Sequence, residues 1–189
     1  MSNKGKFFVI SAPSAAGKST VINSVIEELC FLKKPISYTT RQPRAGEKDG
    51  VHYNFISTDK FEKMKKEGKF LEWATVYNNF YATSMDTIKS ALKSGIILIK
   101  DIDTQGAMQI KEKLGKDAVL IFIEPPSIEE LRRRIRGRAT DPEQVVKIRL
   151  ENAKKEMAEA DKYDHIVVND ILDDAVGKIK DIISRYIQK

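Results

Sequence analysis

The sequence predicts an α/β fold, a parallel sheet core flanked by helices, and three observations carry that reading. Short, nearly continuous apolar runs alternate along the chain with helical patterns. The first run leads into a glycine-containing turn and then a helix, the arrangement of a phosphate-cradling loop. A long segment, 35–85, breaks the rhythm and reads as an inserted mixed α+β subdomain.

The elements follow in order. "KFFVIS" precedes a helix expected over 18–31, whose apolar face is Val21, Ile22, Val25, Ile26 and Leu29. "GIILIKDI" precedes a helix over 104–114, "AVLIFIE" one over 127–136, and "HIVVN" a final helix from about 171 to 188. Apolar strands this short are buried on both faces, as in a parallel sheet. Right-handed crossovers then set the loops after the strands along one rim, where ligands bind. The insertion holds "ISYTTRQPRAGEKDGVHYNF", a Lys/Glu-rich helix near 59–67, then "FLEWATVY" and "FYATS". Within it Val51, Tyr53 and Phe55 alternate with His52 and Asn54, the pattern of a half-exposed antiparallel strand. The expected organisation is a core of 1–34 and 86–189, an insertion at 35–85, and an arginine-rich stretch at about 136–147 between two helices.

Composition narrows the classes. At 189 residues, 41% hydrophobic and 32% charged, the chain suits one ordinary globular domain with a real core. Cys30 is the single cysteine and there are two histidines, so neither an intramolecular disulfide nor a Cys/His zinc cluster is available. The longest apolar runs, such as 118–123, fall far short of the roughly 20 residues of a membrane span. "FFVI" is too short for a signal-peptide core. The expectation is a soluble, cytoplasmic protein with no membrane partner. A net charge of +6 suits polyanionic ligands. No aromatic platform interleaves the arginines of "LRRRIRGR", which argues against nucleic acid. Oligomeric state is not legible.

The turn after the first run is "SAPSAAGKST": Ser11, Ala12, Pro13, Ser14, Ala15, Ala16, Gly17, Lys18, Ser19 and Thr20. Backbone N–H groups and the dipole of the following helix converge there on an anion. Lys18 is placed to reach the β and γ phosphates, and the Ser19 hydroxyl to ligand Mg²⁺. The full pattern G-x-x-x-x-G-K-[ST] begins with glycine, where this chain has Ala12. Alanine at 12 and 15 is tolerable at negative φ, the conformation favoured here for Ala15. A second signal is "IILIKDIDTQG", an apolar strand ending in Asp101 and Asp103. Asp101 is thus a candidate metal carboxylate, acting through water.

With these residues assembled, the chain closely resembles the guanylate kinases, a branch of the nucleoside monophosphate kinases, from about residue 5 to 188. The resemblance rests on four motifs in the family's order: "SAPSAAGKST", "SYTTRQPRAGEKDGVHYNF", "FLEWA" with "FYATS", and "DIDTQG". The arginine-rich lid and "VVND" complete the set. Ala15 departs from the family pattern, and Ala82 and Ala139 also stand where glycine is favoured. The resemblance implies a P-loop kinase fold and transfer of a phosphoryl group from ATP to GMP with Mg²⁺. It implies an acceptor site for GMP built from Ser37, Arg41, Arg44, Tyr53, Glu72, Tyr81, Thr83 and Asp103. It further implies that Arg134, Arg138 and Arg149 close on the transferring phosphoryl group and ATP, and that Asn169 touches adenine. The charge-stabilising set is then Lys18, Arg41, Arg134, Arg138 and Arg149, with no general base.

The residue chemistry agrees. Arg41 and Arg44 flank Pro43, so two guanidinium forks can grip one phosphate. Tyr53 and Tyr81 add neutral donors. Glu72, within apolar "FLEWA", can accept from guanine N1–H and the 2-amino group. The crowded lid arginines repel one another unless an anion arrives. Two other classes share parts of this pattern. A different small P-loop kinase keeps Lys18 and the lid without the acceptor set, and a non-catalytic module of the same fold loses the P-loop lysine.

Overall fold

The computed structural model describes residues 4–137 and 143–187. Its strands are β1 (Phe7–Ser11), β2 (Tyr38–Thr39), β3 (Asn54–Phe55), β4 (Phe70–Val76), β5 (Asn79–Ser84), β6 (Leu98–Asp101), β7 (Ala118–Glu124) and β8 (His165–Val168). Its helices are α1 (Lys18–Glu28), α2 (Thr58–Lys66), α3 (Met85–Lys93), α4 (Thr104–Leu114), α5 (Ile128–Gly137), α6 (Glu143–Met157) and α7 (Leu172–Ile187).

The four expected apolar strands form one parallel sheet in the order β6-β1-β7-β8. Because side chains alternate along a strand, each central strand feeds two cores. Phe8 and Ile10 of β1, with Val119, Ile121 and Ile123 of β7, pack against α1 and α7 through Val21, Ile22, Ile179 and Ile183. Phe7 and Val9, with Ala118, Leu120 and Phe122, face α3 and α4 through Ile88, Leu92, Ala107 and Ile110. This is why these strands read as continuous apolar runs. No described helix is long and apolar enough to cross a membrane.

The second sheet is mixed, with strand order β3-β2-β5-β4. Its own core is Phe61 of α2 clamped between Phe70 and Phe80, at ring-centroid distances of 4.7 and 4.8 Å. Leu71 of β4 points the other way, into the core beside α3 and α4. The second sheet is thereby pinned to the first.

The expected antiparallel strand over 51–55 is not there. Only Asn54–Phe55 is extended, and it pairs parallel to β2, Tyr38 with Asn54 and Thr39 with Phe55. Gly50, at φ 72°, bends the chain into a turn. The Gly50 N–H donates to the Tyr53 carbonyl at 2.8 Å, and Asp49 Oδ1 accepts from the Phe55 N–H at 2.8 Å. Val51 is left exposed. The apolar alternation of 51–55 is a turn lined by aromatics.

A last cluster joins α5 to α6. Leu131, Ile135, Val146, Leu150 and Ala153 pack together, and Ala15 of the loop after β1 is buried among them.

Candidate active site

The loop between β1 and α1 is held from three sides. At its start the buried Ser11 hydroxyl donates to the Ile102 carbonyl at 2.8 Å, tying the loop to the β6–α4 connection. That hydroxyl faces inward, so only the Ser11 backbone is left for a ligand. In the middle, the Ala16 N–H donates to the Pro13 carbonyl at 3.1 Å. At its end Asn169 Nδ2 donates to the Ala16 carbonyl at 2.8 Å. Gly17 then enters α1 at φ 89°, where an added Cβ would lie 2.5 Å from Asn169 Nδ2.

Ala15 corrects the expectation of a negative φ: its φ is 68°. A left-handed alanine costs roughly 1–2 kcal/mol. Burial of its methyl against α5 and α6 offsets part of that cost. Whereas Ser57, Ser84 and Asp103 cap α2, α3 and α4, α1 has no side-chain cap. Its first N–H groups are free to receive an anion. Ala12, Pro13, Ser14 and Ser19 surround the resulting hollow of about 230 Å³ together with Lys18 and Glu156. Glu156, on α6, was not expected: burial raises its carboxyl, and its Oε2 has no partner among the described residues.

A larger cavity of about 550 Å³ runs from this loop into the second sheet. Lys18 and Asp101 line it together with Ser37, Tyr53, Glu72, Tyr81 and Asp103. Thus most of the expected acceptor residues converge on one space with the P-loop lysine. Tyr53 and Tyr81 meet edge to face at 5.9 Å. Glu72 is buried, at 5% exposure, which excludes a solvated strand carboxylate. Its Oε1 accepts from the Thr83 hydroxyl at 2.5 Å. Thr83 lies behind Glu72, fully buried, and its oxygen accepts from Lys100 Nζ at 2.6 Å. Asp103 caps α4, its Oδ1 accepting from the Gly106 N–H at 2.7 Å. Burial alone would raise the Asp101 carboxyl, but Lys34, 3.0 Å away, and Lys18 hold it below its ordinary value.

Arg41 and Arg44 are beside this cavity and not in its lining. Arg41 Nη2 bonds Glu47 Oε1 at 2.8 Å, and its guanidinium lies 5.5 Å from the Tyr53 ring centre. The other Glu47 oxygen accepts from the Arg44 N–H at 2.8 Å. The bond to Arg41, followed by the one from Arg44, lowers the Glu47 carboxyl to about 2. Glu47 also raises the Arg41 guanidinium, so the pair stays ionised. The arginine loop is thus organised around a carboxylate.

The lid arginines are less bare than their crowding suggests. Arg133 and Arg134 both bond Glu130, and Arg136 bonds Glu143 at 2.7 Å. Glu130, one turn back on α5, and Glu143, at the start of α6, answer the repulsion. Arg134 shares a hollow of about 440 Å³ with Ala15, Gly17, Thr20 and Asn169. Arg149 is half-buried on α6. Arg138 and Ala139 lie outside the described residues.

Comparison with known proteins settles the family. The family model described as guanylate kinase matches residues 4–186. The chain belongs to the guanylate kinase family. It is 47% identical to the guanylate kinase of Geobacter metallireducens, covering 97% of this chain and 90% of the relative. It is 46% identical to that of Syntrophotalea carbinolica, over 97% of this chain and 87% of the relative. The crystal structure of guanylate kinase from Anaplasma phagocytophilum superposes with a TM-score of 0.76 at 32% identity, covering all of this chain and 89% of that one. Its activity is accordingly ATP:GMP phosphoryl transfer.

Four cavity residues escaped sequence reasoning: Glu47, Lys34, Lys100 and Glu156. Lys100 left a signal, a cation inside a strand otherwise read as buried on both faces. Glu47 and Lys34 sit in charged runs where nothing distinguishes them.

Proposed function

We propose that the cavity of Ser37, Tyr53, Glu72 and Tyr81 receives GMP, and that the loop 11–20 with Arg134 and Asn169 receives ATP. The observation that carries this reading is Glu72, a buried carboxylate facing the same space as Lys18. Guanine presents N1–H and a 2-amino group side by side, which one carboxylate accepts in a plane. Asp103 and Ser37 add polar contacts around the base. Arg41 and Arg44 take the acceptor phosphate, and Glu47 holds their loop ready until it arrives.

Phosphoryl transfer needs positioning and charge neutralisation more than covalent chemistry. Lys18 and the uncapped end of α1 bind the donor phosphates. Arg134, Arg138 and Arg149 stabilise the equatorial oxygens, while closure of the lid over 136–147 and of the insertion at 35–85 excludes water. Mg²⁺ fits the donors present, because the Ser19 hydroxyl is exposed and Asp101 is held ionised beside Lys18. When bound, the ion neutralises charge on the phosphoryl oxygens, with Ser19 as ligand and Asp101 acting through water. The setting is a soluble cytoplasmic enzyme of purine nucleotide metabolism.

The test is Glu72→Gln. The amide keeps shape and one acceptor but sets a donor against a guanine donor. GMP efficiency should fall at least about a hundredfold, with KM for ATP within about twofold. Unchanged GMP efficiency would refute the assignment.

A further inference from the structure

Among the described residues, Lys100 is the deepest charge outside those already assigned. It lies on β6 between Ile99 and Asp101, is 6% exposed, and still reaches the wall of the acceptor cavity. Among the described residues its one hydrogen bond goes to Thr83 Oγ1, at 2.6 Å. Thr83 in turn spends its single proton on Glu72 Oε1, at 2.5 Å. A hydroxyl that accepts from an ammonium must direct its own proton elsewhere, here onto the carboxylate. The chain Lys100–Thr83–Glu72 therefore has one direction. It fixes Oε1 and leaves Oε2, which has no partner among the described residues, to face the ligand.

We propose that Lys100 is the positioning residue of the base pocket: through Thr83 it aims Glu72, and its ammonium complements the carboxylate that selects guanine. The inference rests on the reading of Glu72 as the base-contacting group.

The surrounding charges show why such a group is needed. Burial raises the Glu72 carboxyl, and Asp103 at the start of α4 raises it further. Opposing them are Lys100, the Thr83 hydrogen bond, and Lys113 at the far end of α4. Lys113 is committed elsewhere, donating to the Leu71 carbonyl at 2.7 Å and the Phe70 carbonyl at 3.2 Å. Lys100 is itself pushed down to about 8 by burial, against the support of Glu72 and Asp101, with Lys34 adding to the downward push.

The protonation state of Glu72 decides what the pocket accepts. As a carboxylate it takes the two donors of guanine and opposes the lone pair on adenine N1. As a carboxylic acid it offers an O–H that adenine N1 can accept, and it loses one acceptor for guanine. Removing the ammonium raises the Glu72 carboxyl further, so protons compete with GMP as pH falls.

The experiment compares Lys100→Met and Lys100→Gln with wild type in KM and kcat for GMP, and in GMP over AMP preference, across pH. Met keeps the apolar stem, and Gln keeps a donor for Thr83 without the charge. Both variants are expected to raise KM for GMP about tenfold or more near about pH 6.5, to recover towards about pH 9, and to lose about tenfold in preference over AMP at the acid end. Wild type should hold a flat KM over the same range, and kcat should change far less than KM. A Lys100→Gln variant that behaves as wild type would overturn the role of the charge. A pH-independent loss confined to kcat, or no change in a folded variant, would overturn the proposal outright. If both variants fail to fold, Thr83→Val carries the test. It cuts the relay and should raise KM for GMP with the same acid-side dependence, and an unchanged KM would overturn the proposal. Glu72→Gln in the same assay separates the two ideas: if it leaves KM for GMP untouched, the base-site reading fails; if it raises KM while the Lys100 variants do nothing, only the present inference fails.

Discussion

Gly17→Ala is expected to destabilise the ligand-free protein by about 2–3 kcal/mol. Gly17 sits at φ 89°, where an L-residue with a Cβ costs roughly 1–2 kcal/mol. The new Cβ would also stand 2.5 Å from Asn169 Nδ2, closer than real Cβ contacts come. The Asn169 amide must then swing away and release the Ala16 carbonyl, a bond of 2.8 Å worth about 0.5–1.5 kcal/mol net. For a chain of this size the total corresponds to a Tm loss of roughly 5–10 °C. Thermal and urea unfolding without nucleotide measure it. Asn169→Ala alone loses only the hydrogen bond and costs about 1 kcal/mol. In the double variant the clash and the bond are both already gone. It should therefore be more stable than the two single losses added, by about 1 kcal/mol. Strict additivity, within roughly 0.3 kcal/mol, would refute the claim that Asn169 buttresses the phosphate loop.

Ala15→Gly trades the strain of φ 68° against a methyl buried on α5 and α6. Relief of about 1–2 kcal/mol opposes loss of about 0.8 kcal/mol of burial and added unfolded-chain entropy. Stability by urea unfolding should stay within about 1 kcal/mol, and a loss of more than about 2 would mean the methyl dominates. Phe61→Ala empties the small core between Phe70 and Phe80 and should cost about 3–5 kcal/mol in the same assay. A loss under about 1 kcal/mol would mean that core contributes little.

Where periodicity alone decides an element, it was legible from sequence. Helix α4, at Thr104–Leu114, and strand β7, at Ala118–Glu124, fall where the apolar pattern puts them. Residues 51–55 were misread because hydrogen bonds from Gly50 and to Asp49 turn the chain, and these override a two-residue alternation. The left-handed φ of Ala15 depends on contacts with helices more than a hundred residues away, beyond any local rule. Among the expected site residues, Glu72, Tyr53, Tyr81 and Lys18 line one cavity. The Glu47 hold on Arg41, and the chain from Lys100 through Thr83, depend on three-dimensional neighbours that spacing does not reveal. The lid arginines were read as bare because their glutamate partners looked like ordinary surface charge.

If a buried carboxylate chooses the acceptor base, competition among acceptors reveals the choice. A coupled assay for ADP release, at fixed ATP and Mg²⁺, would compare GMP with AMP, CMP and UMP as phosphoryl acceptors. A site whose polar groups are left unpaired by the wrong base discriminates by roughly 10⁴-fold. The expected kcat/KM for GMP exceeds that for AMP by about that factor, with CMP and UMP no better than AMP. Comparable turnover of AMP and GMP would contradict it, even with the phosphate loop fully active.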